Sequence, residues 1–219
     1  MRVVVTRPEA QAGELAARLR EGGFEILFCP LIAVEPCGPA EIDVSSYDWV
    51  VVTSANGARE LARRKRGRPR RLAAIGPGTA GELRTRGLEP DLVPAVATQE
   101  GLLEELPRPA GRVLLAAAEG ARRLLVDELA ADFIPLYRTV ELAPPGFPAA
   151  DLVVLASASA ARAYAALGQP TPVVTIGPET SRAARTREIE IVAEAGTHDL
   201  DGLVAAVEHA AALLPESSQ

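Results

Sequence analysis

The chain has 219 residues, a net charge of −6, 48% apolar residues and only 4% aromatic ones. That length supports one large domain or two of roughly 100 residues with Ala, Val and Leu cores, and the negative charge argues against a general nucleic-acid binder, which shows as a basic domain. No apolar run approaches the ~18 residues of a membrane span, the N-terminus enters a strand pattern at Arg2 without a signal-peptide profile, and Cys29 and Cys37 make no disulfide framework; a cytoplasmic protein with no membrane partner and no redox role for its cysteines is expected.

Short apolar runs alternate along the chain with longer amphipathic stretches, the βαβα pattern of buried parallel strands. Strands are predicted at Val3–Thr6, Ile26–Phe28, Val50–Thr53, Arg71–Ile75 and Leu92–Val93. They continue at Val113–Ala116, Ile134–Leu136, Leu152–Leu155, Val173–Ile176 and Ile189–Val192, with helices in most of the gaps. Leu15 and Leu19 share a helix face, and Gly22-Gly23 ends that helix with a residue tolerant of positive φ.

The chain also repeats itself. Asp48-Trp-Val-Val-Val-Thr-Ser-Ala-Asn-Gly-Ala-Arg59 is echoed by Asp151-Leu-Val-Val-Leu-Ala-Ser-Ala-Ser-Ala-Ala-Arg162, Ile75-Gly-Pro-Gly-Thr79 by Ile176-Gly-Pro-Glu-Thr180, and Gly101-Leu-Leu by Gly202-Leu-Val. A fainter echo sets Arg2-Val-Val-Val-Thr-Arg-Pro-Glu9 against Arg112-Val-Leu-Leu-Ala-Ala-Ala-Glu119. Two copies at this spacing indicate a duplicated domain, since solenoid repeats recur every ~20–50 residues in several copies. The order of the echoes requires one domain to be split. Residues 1–35 with 145–219 form the first α/β domain, residues 37–141 the second, and the linkers at 33–37 and 139–144 form a hinge beside a cleft.

Ser54 and Asn56, with Ser157 and Ser159, stand where strands give way to helices, so they are N-caps first. Two capped helix N-termini facing one cleft would also attract carboxylate or phosphate. In the Ile-Gly-Pro-x-Thr pair, glycine would admit a close ligand, and Thr79 or Thr180 would open a helix with its hydroxyl near the cleft. No nucleotide-binding glycine loop is present, and His198 and His209 alone suggest neither a metal cluster nor a Ser-His-Asp arrangement. His209 is expected on the surface of a C-terminal helix, His198 in a capping loop. Cofactor-free chemistry is expected. Tyr137, beside Arg138 and Thr139, is the best remaining acid or donor, against the plainer reading of a packing residue. The basic run Arg63–Arg71 reads as a helix end and solvated loop, or as a patch steering an acidic substrate.

Val5-Thr6-Arg7-Pro8, Val52-Thr-Ser-Ala-Asn56, Ile75-Gly-Pro-Gly-Thr79, Leu136-Tyr-Arg-Thr139 and Ile176-Gly-Pro-Glu-Thr180, in this order over essentially the whole chain, resemble the uroporphyrinogen-III synthase family. The resemblance implies two flavodoxin-like parallel-sheet domains joined by a two-stranded linker. It implies a hydro-lyase that cyclises hydroxymethylbilane, a linear tetrapyrrole with eight carboxylates, to uroporphyrinogen III with inversion of the last ring and loss of water, without a cofactor. Tyr137 matches the family's tyrosine, thought to assist departure of the hydroxyl. Thr79 and Thr180 match its paired Gly-x-x-Thr sites, Ser54 and Ser157 its strand-end serines, and Arg7 is a candidate carboxylate contact. The sequence departs from the family at Ala156-Ser-Ala-Ser159, where Thr-Ser-Pro-Ser is frequent. The competing reading is an inactive two-domain module that binds a small anion; a transferase would require the absent nucleotide loop and an acidic metal site. A monomer is expected.

Overall fold

The computed structural model describes residues 1–214. In chain order the first elements are β1 (Arg2–Val5), α1 (Glu9–Glu21), β2 (Glu25–Phe28), β3 (Ile32–Pro36), β4 (Ile42–Asp43) and β5 (Trp49–Val52). These are followed by α2 (Ala55–Arg64), β6 (Lys65–Arg66), β7 (Arg71–Ala74), α3 (Pro77–Thr85), α4 (Gln99–Glu105) and β8 (Val113–Ala118). The chain then forms α5 (Leu124–Leu129), β9 (Asp132–Glu141), β10 (Leu152–Leu155), α6 (Ala158–Ala166), β11 (Val173–Thr175), α7 (Pro178–Arg185), β12 (Ile191–Glu194) and α8 (Leu200–Leu213). None of these helices is long and apolar enough to cross a membrane.

The chain divides into two units, Met1–Ala33 together with the chain from Thr139 onward, and Val34–Arg138. In the first, five strands lie in the order β12-β11-β10-β1-β2, all parallel. Renumbered within the unit from the β2 edge, this is the 2-1-3-4-5 order of flavodoxin. In the second, the order is β3-β9-β8-β5-β7, with β5, β7, β8 and β9 parallel and Leu92 bridging to Ala73 outside β7. The sequence echoes therefore occupy equivalent places: β5 corresponds to β10, β7 to β11, Leu92 to β12, and β8 to β1. The second unit runs through these strands without interruption, whereas the first is cut between β2 and β10.

Alternation along the strands divides each core in two. Val3 and Val5 pack under α1 and α8, while Val4 joins the side chains under α6 and α7. Val50 and Val52 pack under α2 and α3, and Trp49 and Val51 under α4 and α5. Each fully buried Val or Leu contributes about 1.5–3 kcal/mol, which suffices without aromatics.

Three details differ from the sequence reading. Leu92–Val93 forms only a single bridge, because Pro90 and Pro94 on either side offer no N–H to a ladder. β9 extends from Asp132 to Glu141, well beyond Ile134–Leu136, and pairs with β3: Cys37 N–H donates to Leu136 O and Leu142 N–H to Leu31 O. Its outer half is exposed and carries the ion pair Arg138–Glu35 at 3.0 Å, so no long apolar run announces it. Third, the basic run is not simply a solvated loop. Lys65–Arg66 pairs with Ile42–Asp43 in a small parallel sheet, and Arg64 is only 4% exposed.

The Gly-Leu echo has a steric cause. Thr98 and Asp199 cap α4 and α8 by accepting the N–H of Gly101 and Gly202 at 3.1 and 2.8 Å. This capping turn brings the carbonyl of Val96 or Thr197 to 2.2 Å from where a Cβ would stand. We expect Gly101→Ala and Gly202→Ala each to lower stability by about 1–3 kcal/mol in urea denaturation. Gly13→Ala, in mid-helix with nothing within 4 Å, should raise it by about 0.5–1 kcal/mol.

Several carboxyls at or near the surface are held below their ordinary range. Glu100 lies at about 2, chiefly through its bond from Arg122; Asp132 is lowered by Tyr47 and Arg112, Asp48 by the Arg112 N–H and Arg70, and Asp199 by the Gly202 N–H. Such groups stabilise the fold above the ordinary carboxyl pKa of about 4 and cease to do so as pH falls through their folded values. The melting temperature should therefore stay level from about pH 7 to 5 and fall steadily between about pH 4 and 2, as followed by circular dichroism.

Candidate functional site

In the second unit the C-terminal end of β5 passes through Thr53 to Ser54, whose extended backbone (φ −166°, ψ 158°) lets its Oγ accept the Gly57 N–H at 3.0 Å and cap α2. The Tyr137 hydroxyl lies 2.8 Å from the same Oγ. Tyr137 stands on β9 opposite Ala118 of β8 and is 8% exposed, in the core with Val52, Ala116 and Leu136. It is thus a packing residue and a placed hydroxyl at once. Asn56 is tied to its own helix, its Oδ1 accepting from Arg59 Nη1 at 3.1 Å, while Arg59 Nε reaches Glu82 at 3.1 Å.

Thr79 is the third residue of α3 and 6% exposed. Among the described residues its hydroxyl has no hydrogen-bond partner, yet it is not among the buried orphaned atoms, so it meets solvent. At the preceding Gly76 the place of a side chain is taken by Ala97, whose Cβ lies 2.8 Å from where a Cβ of residue 76 would stand.

The first unit repeats this construction with other side chains. Ser157 (φ −166°, ψ 156°) accepts the Ala160 N–H at 3.1 Å and caps α6. Ser159 accepts from Arg162 Nη2 at 3.0 Å, as Asn56 does from Arg59. Thr180 is third in α7, 3% exposed, and like Thr79 has no partner among the described residues. The space at Gly177 is taken by the ring of His198, 2.6 Å from a virtual Cβ, and His198 is otherwise exposed in the loop that leads to the α8 cap. Among the described residues no tyrosine meets Ser157. This unit instead carries Arg7 just past β1, half-buried, with burial lowering the pKa of its guanidinium. Arg7 makes no ion pair among the described residues.

Because the strands are parallel, Ser54, Thr79 and Tyr137 gather at one edge of their sheet, and Arg7, Ser157 and Thr180 at the corresponding edge of the other. In each unit the chain turns from one direction of the sheet to the other between the strands flanking these residues, β1 and β10 or β8 and β5, the crevice in which open α/β sheets bind ligands. The edges offer hydroxyls, helix N-terminal N–H groups and one desolvated cation. Among the described residues no group of three or more His, Cys, Asp or Glu could hold a metal ion.

The family model described as uroporphyrinogen-III synthase HemD matches residues 13–205. The chain belongs to the uroporphyrinogen-III synthase family. The uroporphyrinogen-III synthase of Synechococcus elongatus is 24% identical over 94% of each chain. A Methanocaldococcus jannaschii protein provisionally described as a uroporphyrinogen-III synthase is 29% identical over 64% of this chain, which spans 63% of that relative's length. The solved structure of a mutant uroporphyrinogen III synthase from the extreme thermophile Thermus thermophilus has a TM-score of 0.59 at 19% identity, covering 98% of this chain and 100% of that one, and it shares the fold.

Arg64 was missed as a buried residue, although the signal was present: Gly57, Leu61 and Arg64 follow helical spacing on the buried face of α2. We expect Ser54→Ala and Ser157→Ala to cost similar stability, about 1 kcal/mol each as lost N-caps, in denaturant titrations. Only Ser54→Ala should also disturb the absorption of Tyr137, with Ser54→Thr retaining both contacts.

Proposed function

We propose that the protein is a uroporphyrinogen-III synthase that cyclises hydroxymethylbilane, expelling water and inverting the last ring. Membership of the family supports this reading and does not favour the inactive binding module. The observation that carries it is the Tyr137–Ser54 contact at 2.8 Å. Ser54 Oγ already accepts the Gly57 N–H, leaving its own hydroxyl hydrogen available. If that hydrogen points to the phenol oxygen, the Tyr137 O–H is free to donate outward. Tyr137 then protonates the departing hydroxyl of the bilane as the C–O bond breaks; water leaves, and Ser54 stabilises the developing phenolate. What remains is a cation whose fate depends on position, and the protein favours attack through the substituted carbon of the last ring over direct closure.

The eight carboxylates supply the binding energy. At α3 and α7 a proline takes the first helical position, so the free N–H groups are those of Gly78 and Thr79 and of Glu179 and Thr180. Thr79 and Thr180 add hydroxyls beside these N–H groups, and Ser157 and Asn56 complete the polar edges. Arg7, lacking a carboxylate partner among the described residues, takes one from substrate. In this reading each unit acts as a domain with its own strand-end edge. The reaction is a cofactor-free hydro-lyase step carried out by a cytoplasmic monomer, in keeping with free Cys29 and Cys37.

Freshly generated hydroxymethylbilane, incubated with the protein and resolved after oxidation into type I and type III uroporphyrin, tests the reading. Type III above the protein-free control is expected, whereas type I alone from folded protein would overturn it. Tyr137→Phe should lower type III formation by roughly a hundredfold with an unchanged circular dichroism spectrum; near-normal turnover would remove Tyr137 from the chemistry.

A further inference from the structure

The pairing of β8 with β9 slips by one residue immediately before Tyr137. Ala117 opposes Pro135 but Ala118 opposes Tyr137, which leaves Leu136 as the extra residue of a bulge. In a regular strand side chains alternate between faces. Phe133 packs with the core under α4 and α5, and Ile134 and Leu136 with the core under α2 and α3. Unbroken alternation would put Tyr137 back on the Phe133 face. Because of the bulge, Leu136 and Tyr137 both join the α2 and α3 side, where Ser54 stands.

Arg64, the last residue of α2, lies at this irregularity. Its Nη2 donates to Leu136 O, its Nη1 donates to Cys37 O at 2.5 Å and Pro39 O at 3.1 Å, and Glu60 Oε2 pairs with Nη2 at 2.8 Å. Leu136 O also accepts the Cys37 N–H at 3.1 Å. The guanidinium is buried, and its Nε finds no partner. Burying an arginine with an orphaned donor is unfavourable unless its other bonds are needed, and here they tie the carbonyls of Cys37 and Pro39 to that of Leu136, where the strand register breaks. The same helix thus meets Tyr137 twice, with its N-cap at the hydroxyl and its last side chain at the backbone.

We infer that Arg64 is a positioning residue for the synthase reaction: its guanidinium fixes the bulged carbonyl of Leu136 and so holds the Tyr137 phenol at Ser54. The inference rests on the reading of Tyr137 as the proton donor. A surface arginine or a residue that only fills space would leave the chemistry of Tyr137 untouched.

The test combines Arg64→Met and Arg64→Lys with Tyr137→Phe in a double-mutant cycle, in protein labelled with 3-fluorotyrosine at Tyr47, Tyr137 and Tyr164. Arg64→Met should lower kcat roughly tenfold to a hundredfold with little change in KM, and should cost nothing further in the Tyr137→Phe background. Arg64→Lys should recover part of the loss, and the fluorine spectrum should move at Tyr137 but not at Tyr164. An equal loss of kcat in both backgrounds, or an unmoved Tyr137 resonance, would overturn the inference. Normal turnover by Tyr137→Phe alone would instead defeat the donor reading, and the fluorine spectrum would still decide whether Arg64 holds the ring. If Arg64→Met does not fold, Glu60→Gln, which loosens Arg64 without removing it, should shift the same readouts in the same direction by less.

Discussion

A parallel strand can be reached again only by a crossover, and the helix that makes the crossover seals one face of the sheet. Here helices cover both faces of both five-stranded sheets, and the inner strands β1, β5, β8, β10 and β11 are filled mostly with Val, Ala and Leu at or near complete burial. Polar groups that are to meet a ligand are then confined to the strand ends. There the first turn of the next helix also leaves N–H groups without partners. The placement of Ser54, Ser157, Thr79 and Thr180 is a consequence of this sealing, which explains why one construction occurs twice with nearly identical cap geometry.

What the two copies have kept is architecture, and what they have lost is chemical equivalence. The serine caps agree within 2° in ψ, and both Gly-Pro turns are closed by a protein side chain, Ala97 in one and His198 in the other. Only one copy, however, pairs its serine with a phenol, and only the other places an arginine past its central strand. In the function proposed above, a scaffold made by duplication thus keeps the phenol in one copy and the arginine in the other, while both copies keep the helix N-termini. The echoes in the sequence mark the shared frame, and Tyr137 and Arg7, the proposed donor and the proposed carboxylate contact, lie where the echoes fail.

Much of the frame was legible. Strand-length apolar runs located β1, β5, β8, β10 and β11, because a strand buried on both faces has no polar alternation to confuse the reading. The strand-end serines were visible as caps for the same reason. What stayed hidden was set by tertiary structure. The outer half of β9 shows no apolar run because it is exposed, and a bulge leaves no trace in composition. The burial of Arg64 was masked by the six other basic residues between Arg63 and Arg71, whose density suggests a solvated loop, although helical spacing from Leu61 contained the answer. At Gly76 and Gly177 a glycine says only that something approaches closely, and the sequence does not show that Ala97 and His198 are among the neighbours.

The interruption of the first unit has a consequence for how the chain acquires its structure. β1 is a central strand, paired with β10 through Val3–Leu152, Val4–Val153 and Val5–Val154, so its second edge stays open until the ribosome has produced residues beyond the whole of the inserted unit. The second unit depends on no such distant segment and can complete its sheet while synthesis continues. Its first and last strands, β3 and β9, are hydrogen-bonded neighbours, and Leu142 N–H reaches Leu31 O just outside it. Once folded, the insert works as a clasp: it replaces a long flexible loop with a short closed one, and most of the entropy of bringing β10 back to β1 has already been lost. The interrupted unit is therefore closed by the one that is finished first.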